Sequence, residues 1–585
     1  MDIVLLCDID ADNDADNNGL DQSFSLHVTE STLTGNVLHA VKLETQRDPE
    51  PGLSSSSCRR PSHSTPHFIA SRMVRTTRDF PDDIWAQIAQ YLGPDDLQWL
   101  VHIVDSPNLR KVHLNQRFRK VSFVADRKSV KDMYQRVKQE GGSEYIRELY
   151  IQPWRVDAAR NRGSSLWDKI RDNLRPLIHA DRLQKEFEDL RKHKLSKDFD
   201  RIMSCLEKSD LDELSFRWVH GAGHLRSYTK FLEMSIAKTR HTLRKVTMHV
   251  PIRTLCYLAP MYGEHSLAIE EFNVSISAYE VAPNDVSASC VRLADWMNSL
   301  PSLHAFSLHI DLDEPSSPCD ISPLFNSLGS FKNLQTVALS IPAAQTYLSC
   351  PGTVNAFLKR NQGTLRSISF ASPPLPSPRA GGDQIYPWAH TVMASINKDY
   401  KRLTTVQLPL LPVEGASRIS PVKQLLKDHI DQIERLYLRN HAFTYQELQE
   451  LFDVKEQGTH IGVTHLTLQV MYNSPELWDL LASSLPDLRS IEMWSHSVTS
   501  EDPSTGGSPD GYMRFKSEIE LFKEKMKERA LKNVYKAWRL STIKLNVASG
   551  IKETMQSVLP SLKHFEFLKP AEWIHDAYPP LAILV

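Results

Sequence analysis

Paired cysteines are missing from this sequence. Its seven cysteines stand far apart, at positions 7, 58, 205, 256, 290, 319 and 350, with no Cys-x-x-Cys anywhere. That spacing excludes a zinc ribbon or a disulfide scaffold and suits isolated thiols in a reducing cytoplasm or nucleus. Long apolar runs are missing too, since no stretch approaches the ~18–20 residues that span a bilayer. The opening Met1-Asp2-Ile3-Val4-Leu5-Leu6-Cys7-Asp8 has no basic flank and too short an apolar run for a secretory signal, so no membrane partner is expected. Nor is there a surplus of charge. The 69 basic and 71 acidic side chains leave a formal net charge of −2, whereas a general nucleic-acid binder carries an excess of Lys and Arg, so no nucleic-acid partner is expected either.

Reactive motifs are equally scarce. There is no Gly-x-Ser-x-Gly elbow, no His-Glu-x-x-His and no Gly-Lys dipeptide, which excludes a P-loop. Gly221-Ala222-Gly223 begins like a dinucleotide loop, but Arg226 stands where the third Gly belongs. His220 and His224 have metal-ligand spacing only on a helix, and the glycines between them read as a loop. No catalytic residues, cofactor or metal are therefore expected, and the chain is not expected to be an enzyme.

What is present is a soluble composition over 585 residues, 41% hydrophobic and 24% charged, long enough for several domains or one repeat array. Residues 1–77 read as a tail without ordered structure. They hold an acidic run from Asp8 to Asp16, four serines from Ser54 to Ser57, and basic residues toward Arg78. Such a stretch buries too little apolar area to offset its ordering entropy. Asp14, Asp16, Asn18 and Gly19 fit half of a calcium loop, but Ser25 stands where its bidentate acid belongs.

At Phe80 the pattern changes. Pro81 suits a first helical turn, and Ile84, Trp85, Ile88, Tyr91 and Leu92 fall on one helical face. Gly93-Pro94 ends that helix, and Asp95 or Asp96 caps a second, with Leu97, Leu100, Val101 and Val104 on a shared face. A pair of short helices is expected, with Val104-Asp105-Ser106-Pro107 as a closing turn. The run Phe80-Pro81-Asp82-Asp83-Ile84-Trp85-Ala86-Gln87-Ile88-Ala89-Gln90-Tyr91-Leu92, followed by Asp95-Asp96-Leu97, resembles an F-box. Phe80 replaces the usual Leu and Asp83 the usual Glu, and the family's Val-Cys-Lys-x-Trp ending has no equivalent. The resemblance assigns adaptor binding to Phe80, Pro81, Ile84, Trp85, Ile88, Tyr91, Leu92, Leu97 and Leu100, within helices spanning 78–116.

Further on, apolar patterns φ-x-x-φ-x-φ begin at Phe118, Ile146, Leu211, Leu243, Ile269, Leu303, Leu334, Leu365, Leu403, Ile433, Val463, Leu488, Leu540 and Leu562. Ten of the thirteen intervals lie between 25 and 38 residues, as in a repeat array. Helical periodicity fills several intervals, as in Leu293, Trp296, Met297 and Leu300, or Val422, Leu425, Leu426 and Ile430. Strand-loop-helix units of ~30 residues resemble leucine-rich repeats. The fold expected is therefore α/β: a short helical F-box, then an irregular leucine-rich-repeat-like solenoid over 117–585. Insertions are expected at 372–390 and 495–539, the second a loop followed by a helix from about Tyr512 to Trp538. The family's Asn after the strand is absent from every unit; Asp126 and Asp311 take its place twice.

An F-box followed by such a solenoid resembles the substrate receptor of an SCF-type cullin–RING ubiquitin ligase, in the long, loosely patterned form common among fungal F-box proteins. The resemblance implies partners in the adaptor subunit, the cullin beyond it, and a protein substrate on the solenoid. A scaffold using the same surfaces outside any ligase is the alternative, with a solenoid enzyme or GTPase activator a further one. Within each strand the residues between the apolar positions face the concave surface. Most there are small, such as Thr336, Ala338 and Ser340. Arg435, Tyr437 and Arg439 differ, and with His465 and Trp494 on neighbouring units they form the candidate substrate site. Two unpaired arginines would favour an acidic or phosphorylated partner.

Overall fold

The structure, a computed structural model, describes residues 5–6, 24–33, 36–45, 82–104, 106–124, 127–152, 193, 195–218, 225–258, 267–277, 283–312, 319–373, 386–411, 417–454, 461–501, 515–546 and 549–568. The chain divides into two compact units, residues 1–117 and 118–585.

In the first unit β1 (Leu5–Leu6) runs parallel to β3 (Asn36–Thr45), which pairs antiparallel with β2 (Phe24–Leu33) from Leu33↔Asn36 to Phe24↔Thr45. These strands depart from the unstructured tail that composition predicts. Averaging hid the alternation of Phe24, Leu26 and Val28 with Ser25, His27 and Thr29, a strand period. The acidic run and the serines lie outside the described residues.

Three helices follow, not the expected two: α1 (Asp82–Gln90), α2 (Pro94–Val104) and α3 (Pro107–Phe118). Ser106-Pro107 starts a helix instead of closing one. The Leu109 amide donates to Ser106 Oγ at 3.4 Å, and proline at the first helical position has no N–H to leave unsatisfied. Trp85 and Ala89 of α1, Leu97 and Val104 of α2 and Leu109 of α3 form the core, with Ile88, Leu92, Leu100, Val101 and Val112 packed on it. Gln116 Nε2 donates to the Ala89 carbonyl at 3.1 Å, and Arg117 Nη1 to Gln98 Oε1 at 3.3 Å, which holds α3 against both partners.

The second unit is a mixed α/β array on one sheet of fourteen parallel strands paired in sequence order. They are β4 (Lys120–Phe123), β5 (Glu148–Ile151), β6 (Glu213–Arg217), β7 (Lys245–Pro251), β8 (Glu271–Ser277), β9 (Ala305–Asp311) and β10 (Thr336–Ser340). Then come β11 (Ser367–Ala371), β12 (Thr405–Pro409), β13 (Arg435–Phe443), β14 (His465–Asn473), β15 (Ser490–Val498), β16 (Thr542–Leu545) and β17 (His564–Phe567). Every strand begins two residues after the first apolar residue of its repeat. That first residue is buried from Phe118 through Leu540, and half-buried at Leu562, in the edge unit.

The residue just ahead of each strand locks the register. The Arg119 carbonyl accepts from the amides of Arg147 and Glu148 at 2.9 and 2.8 Å, and the His304 carbonyl from Gln335 and Thr336 at 2.8 and 2.9 Å. The same double acceptance recurs at Arg366, whose carbonyl takes Thr404 and Thr405, and at Glu434, whose carbonyl takes Thr464 and His465. Helices alternate with the strands, and successive ones touch, as do Pro283–Asn298, Ser322–Ser327 and Pro351–Asn361. Burial of each Leu, Ile or Val stabilises the fold by about 1.5–3 kcal/mol. A single unit leaves that apolar face wet, so neighbouring units must cover it.

Without the repeat Asn, strand ends close one by one. At β10 the Ile341 carbonyl accepts from Ser372 Oγ at 3.0 Å and Trp388 Nε1 at 3.1 Å. At the end of β16 Asn546 Oδ1 accepts the Ser495 amide, inside β15, at 2.8 Å. Asp311, one of the residues at the Asn position, instead reaches across β8 to His249 Nε2 at 2.7 Å. Asp126 lies outside the described residues.

Both expected insertions are narrower than drawn. Helix Trp388–Met393 begins inside 372–390, with Trp388 fully buried. Ser495–Val498, expected as loop, continues β15 because Val470, Tyr472 and Asn473 of β14 offer it a pairing edge. The helix beyond is Phe515–Leu531 and stops short of Trp538, where Asn533 takes φ 57°.

Candidate functional site

Two surfaces hold the residues singled out from the sequence. On the helical unit, Phe80 and Pro81 lie outside the described residues. Trp85 and Leu97 are core residues, not surface ones, because they fill the space between α1, α2 and α3. Ile88, Leu92 and Leu100 are half-buried against that core, and Ile84 is half-buried as well. Tyr91 stands out at 65% exposure, joined by Trp99 at 42% and Ile103 at 39%. The last two were missed. Their signal was present: at 100° per residue they fall opposite the Leu97, Leu100, Val101 and Val104 face, so α2 is apolar on both sides.

On the array, β13 alternates as expected. Leu436 and Leu438 are buried, Arg435 is exposed, and Tyr437 and Arg439 are half-buried on the opposite, polar face. Arg435 pairs with His465, and His465 with Ser490; Tyr437 pairs with Thr467, and Thr467 with Glu492. The common line ends there. Between Tyr437 and Ala442 the register slips, Asn440 adopts φ 64°, and the ladder resumes at Ala442↔Gln469. A bulge of this kind inserts residues into one strand only and re-aims those beyond it. Arg439 keeps its place opposite Pro409 on β12, but the register with β14 passes from Tyr437 to Ala442, so Arg439 leaves the line that begins at His465. Arg439 also has a partner, so the expectation of two unpaired arginines fails at this residue. Trp494, expected on the open face, is 7% exposed.

The residue that sequence reading overlooked is Arg489, exposed immediately before β15. Only positions inside the strands were read, and Arg489 sits one step ahead. It and Arg435 flank His465, and neither guanidinium makes an ion pair or hydrogen bond among the described residues. His465 Nδ1 lies 2.9 Å from Thr464 Oγ1. Burial first, then the charges of Arg435 and Arg489, push this imidazole below its usual pKa, against the weaker pull of Glu434.

Beyond the bulge, His441 sits between Arg418 Nη1, 3.2 Å from its Nδ1, and Glu447 Oε1, 3.0 Å from its Nε2. Glu447 and Thr444 form a reciprocal cap at the start of helix Tyr445–Phe452. Burial works against the Glu447 charge, but the Thr444 amide and His441 outweigh it and hold the carboxyl below the usual range.

Little on the described surface suggests chemistry. No group of three His, Cys, Asp or Glu side chains there is placed to hold a metal ion. Burial pushes the Cys205 and Cys319 thiols up to about 12, away from nucleophilic thiolates. No described helix is long and apolar enough to cross a membrane. His220, Gly221, Ala222, Gly223 and His224 lie outside the described residues. No model of a known protein family matches the chain, and no curated protein matches it.

Proposed function

We propose that the chain is the substrate-recognition subunit of an SCF-type cullin–RING ubiquitin ligase, working in the cytoplasm or nucleus. Helices α1–α3 bind the adaptor and through it the cullin, and the strand array holds a protein substrate. The rate gain comes from effective concentration near a ubiquitin-loaded enzyme, not from acid–base groups of this chain.

The observation that carries the proposal is the apolar surface left over once the helical core is complete. Tyr91, Trp99 and Ile103 remain exposed while Trp85 and Leu97 fill the interior. Side chains of these types are frequent interface anchors, and they sit within the stretch whose motif resembles an F-box. A binding assay with purified adaptor tests it. The double variant Trp99→Ala, Ile103→Ala should weaken capture by about 30-fold or more, the effect of losing roughly 2 kcal/mol at a hot spot. Because both residues are exposed, its circular dichroism should match wild type. Equal capture by the variant would end the assignment.

A further inference from the structure

Charge is unevenly spread along the row where the strands begin. At the N-terminal end it is neutralised internally: Lys120 lies 3.8 Å from Glu148, Lys245 lies 3.7 Å from both Glu213 and Glu271, and Arg244 lies 3.0 Å from Glu270. From β9 through β12 the first strand residues, Ala305, Thr336, Ser367 and Thr405, carry no charge, although the exposed Arg366 stands just ahead of β11. The next strand starts bring Arg435, His465 and the neighbouring Arg489, whose guanidiniums have no acidic counterpart in ion-pair contact among the described residues.

We infer that Arg435, His465 and Arg489 form an anion site for an acidic peptide segment of a partner protein, and that His465 takes up a proton when the site fills. The inference rests on the array being a partner-binding surface and names the chemistry of that partner. Two strand spacings, ~10 Å, separate the backbones of the two arginines. One carboxylate does not span that distance, so the site takes a segment with several Asp or Glu side chains. Charge complementarity is what selects it: two open guanidiniums attract carboxylates and repel basic segments.

His465 lies between the two cations. The charged groups facing it are Arg435 and Glu434 from the β13 side and Arg489 from the β15 side. Glu492, farther along β15, is opposite Thr467 and has its own partner. In the empty site burial, and after it the two arginines, hold the imidazole below its usual pKa. A bound carboxylate cancels their repulsion and offers the ring an acceptor, which raises the proton affinity of His465. Binding then takes up a proton at any pH between the free and filled values. Affinity rises as pH falls through the filled value and levels off below the free one.

The test is isothermal titration calorimetry of the full chain with the probe acetyl-hexaglutamate amide, from pH 7.5 to 5.5, in buffers of different ionisation enthalpy. Glutamates in the probe stay ionised over this range, because their ordinary pKa is about 4.3. Affinity should rise toward low pH, by up to about tenfold per pH unit where one full proton is taken up. His465→Gln should bind without that slope, and Arg435→Ala with Arg489→Ala should lose at least about tenfold at every pH, as expected for charge-assisted contacts. A flat pH dependence in wild type, the same slope in His465→Gln, or unchanged affinity in the arginine variant overturns the inference. Proton-linked binding in a chain that fails to capture adaptor sustains this inference and removes the ligase reading. Adaptor capture with pH-independent peptide binding does the reverse.

Discussion

Glu447 shows how one residue serves three contacts. Its Oε2 accepts the Thr444 amide at 2.8 Å, its own amide donates to Thr444 Oγ1 at 3.3 Å, and its Oε1 faces His441. The cap fixes the start of helix Tyr445–Phe452 directly after the bulge, so it also fixes where β13 ends. Thr444→Ala should cost about 1 kcal/mol, the usual value of an N-cap, read as faster hydrogen exchange in that helix. The pH dependence has a definite sign. Glu447 has a lowered carboxyl pKa in the folded chain, so its contribution is present above the unfolded value and is lost as pH falls through the folded one. Wild type should therefore lose more protection in this helix on acidification below pH ~4.3 than Glu447→Gln does. An identical loss in both would show that the carboxylate does not stabilise the cap.

At the scale of elements, helix Phe515–Leu531 is held to Pro475–Ser484 by a compact polar cluster. Arg529 donates through Nε to Asp479 at 2.6 Å and through Nη2 to Glu476 at 2.8 Å, and the Tyr535 hydroxyl donates to Asp479 at 2.7 Å. Arg529→Ala leaves both carboxylates facing the gap and should raise hydrogen exchange across 515–531 while the β7–β9 units stay protected. Uniform change along the array would mean that the units do not respond individually. The strands of this array were legible in the sequence because their cause is local. Three apolar residues at fixed spacing put two side chains and the preceding turn into the core, and each strand begins two residues after the first of them. What escaped has causes the sequence pattern does not carry. Helix α3 was hidden because Ser-Pro serves equally as a stop and as a cap. The bulge at Asn440 leaves the alternation of β13 unbroken up to Arg439, so nothing announced that the register with β14 breaks after Tyr437. Trp494 lies on a face that alternation calls open and yet is buried, and Ser495–Val498 is a strand because β14 pairs with it. Arg489 escaped because the candidate site was read from strand interiors, while the charge lies at their entrances.

On the scale of the whole molecule, the chain joins a unit whose helices expose aromatic and aliphatic side chains to an array of fourteen described strands whose polar face holds buried side chains such as Ser307 and Gln407 and opens at Arg435. A linear array of this kind offers an extended surface whose properties change from unit to unit, here from self-paired charge, through strand starts with small neutral residues, to Arg435 and Arg489, which make no ion pair among the described residues. One attachment surface and one recognition surface on a single chain is the division of labour that the ligase proposal requires. The most direct measurement is reconstitution of the full chain with purified adaptor and cullin, followed by size-exclusion chromatography with light scattering. The account predicts one stable complex containing all three, lost in the Trp99→Ala, Ile103→Ala variant. Elution of the wild-type chain apart from adaptor and cullin would contradict it.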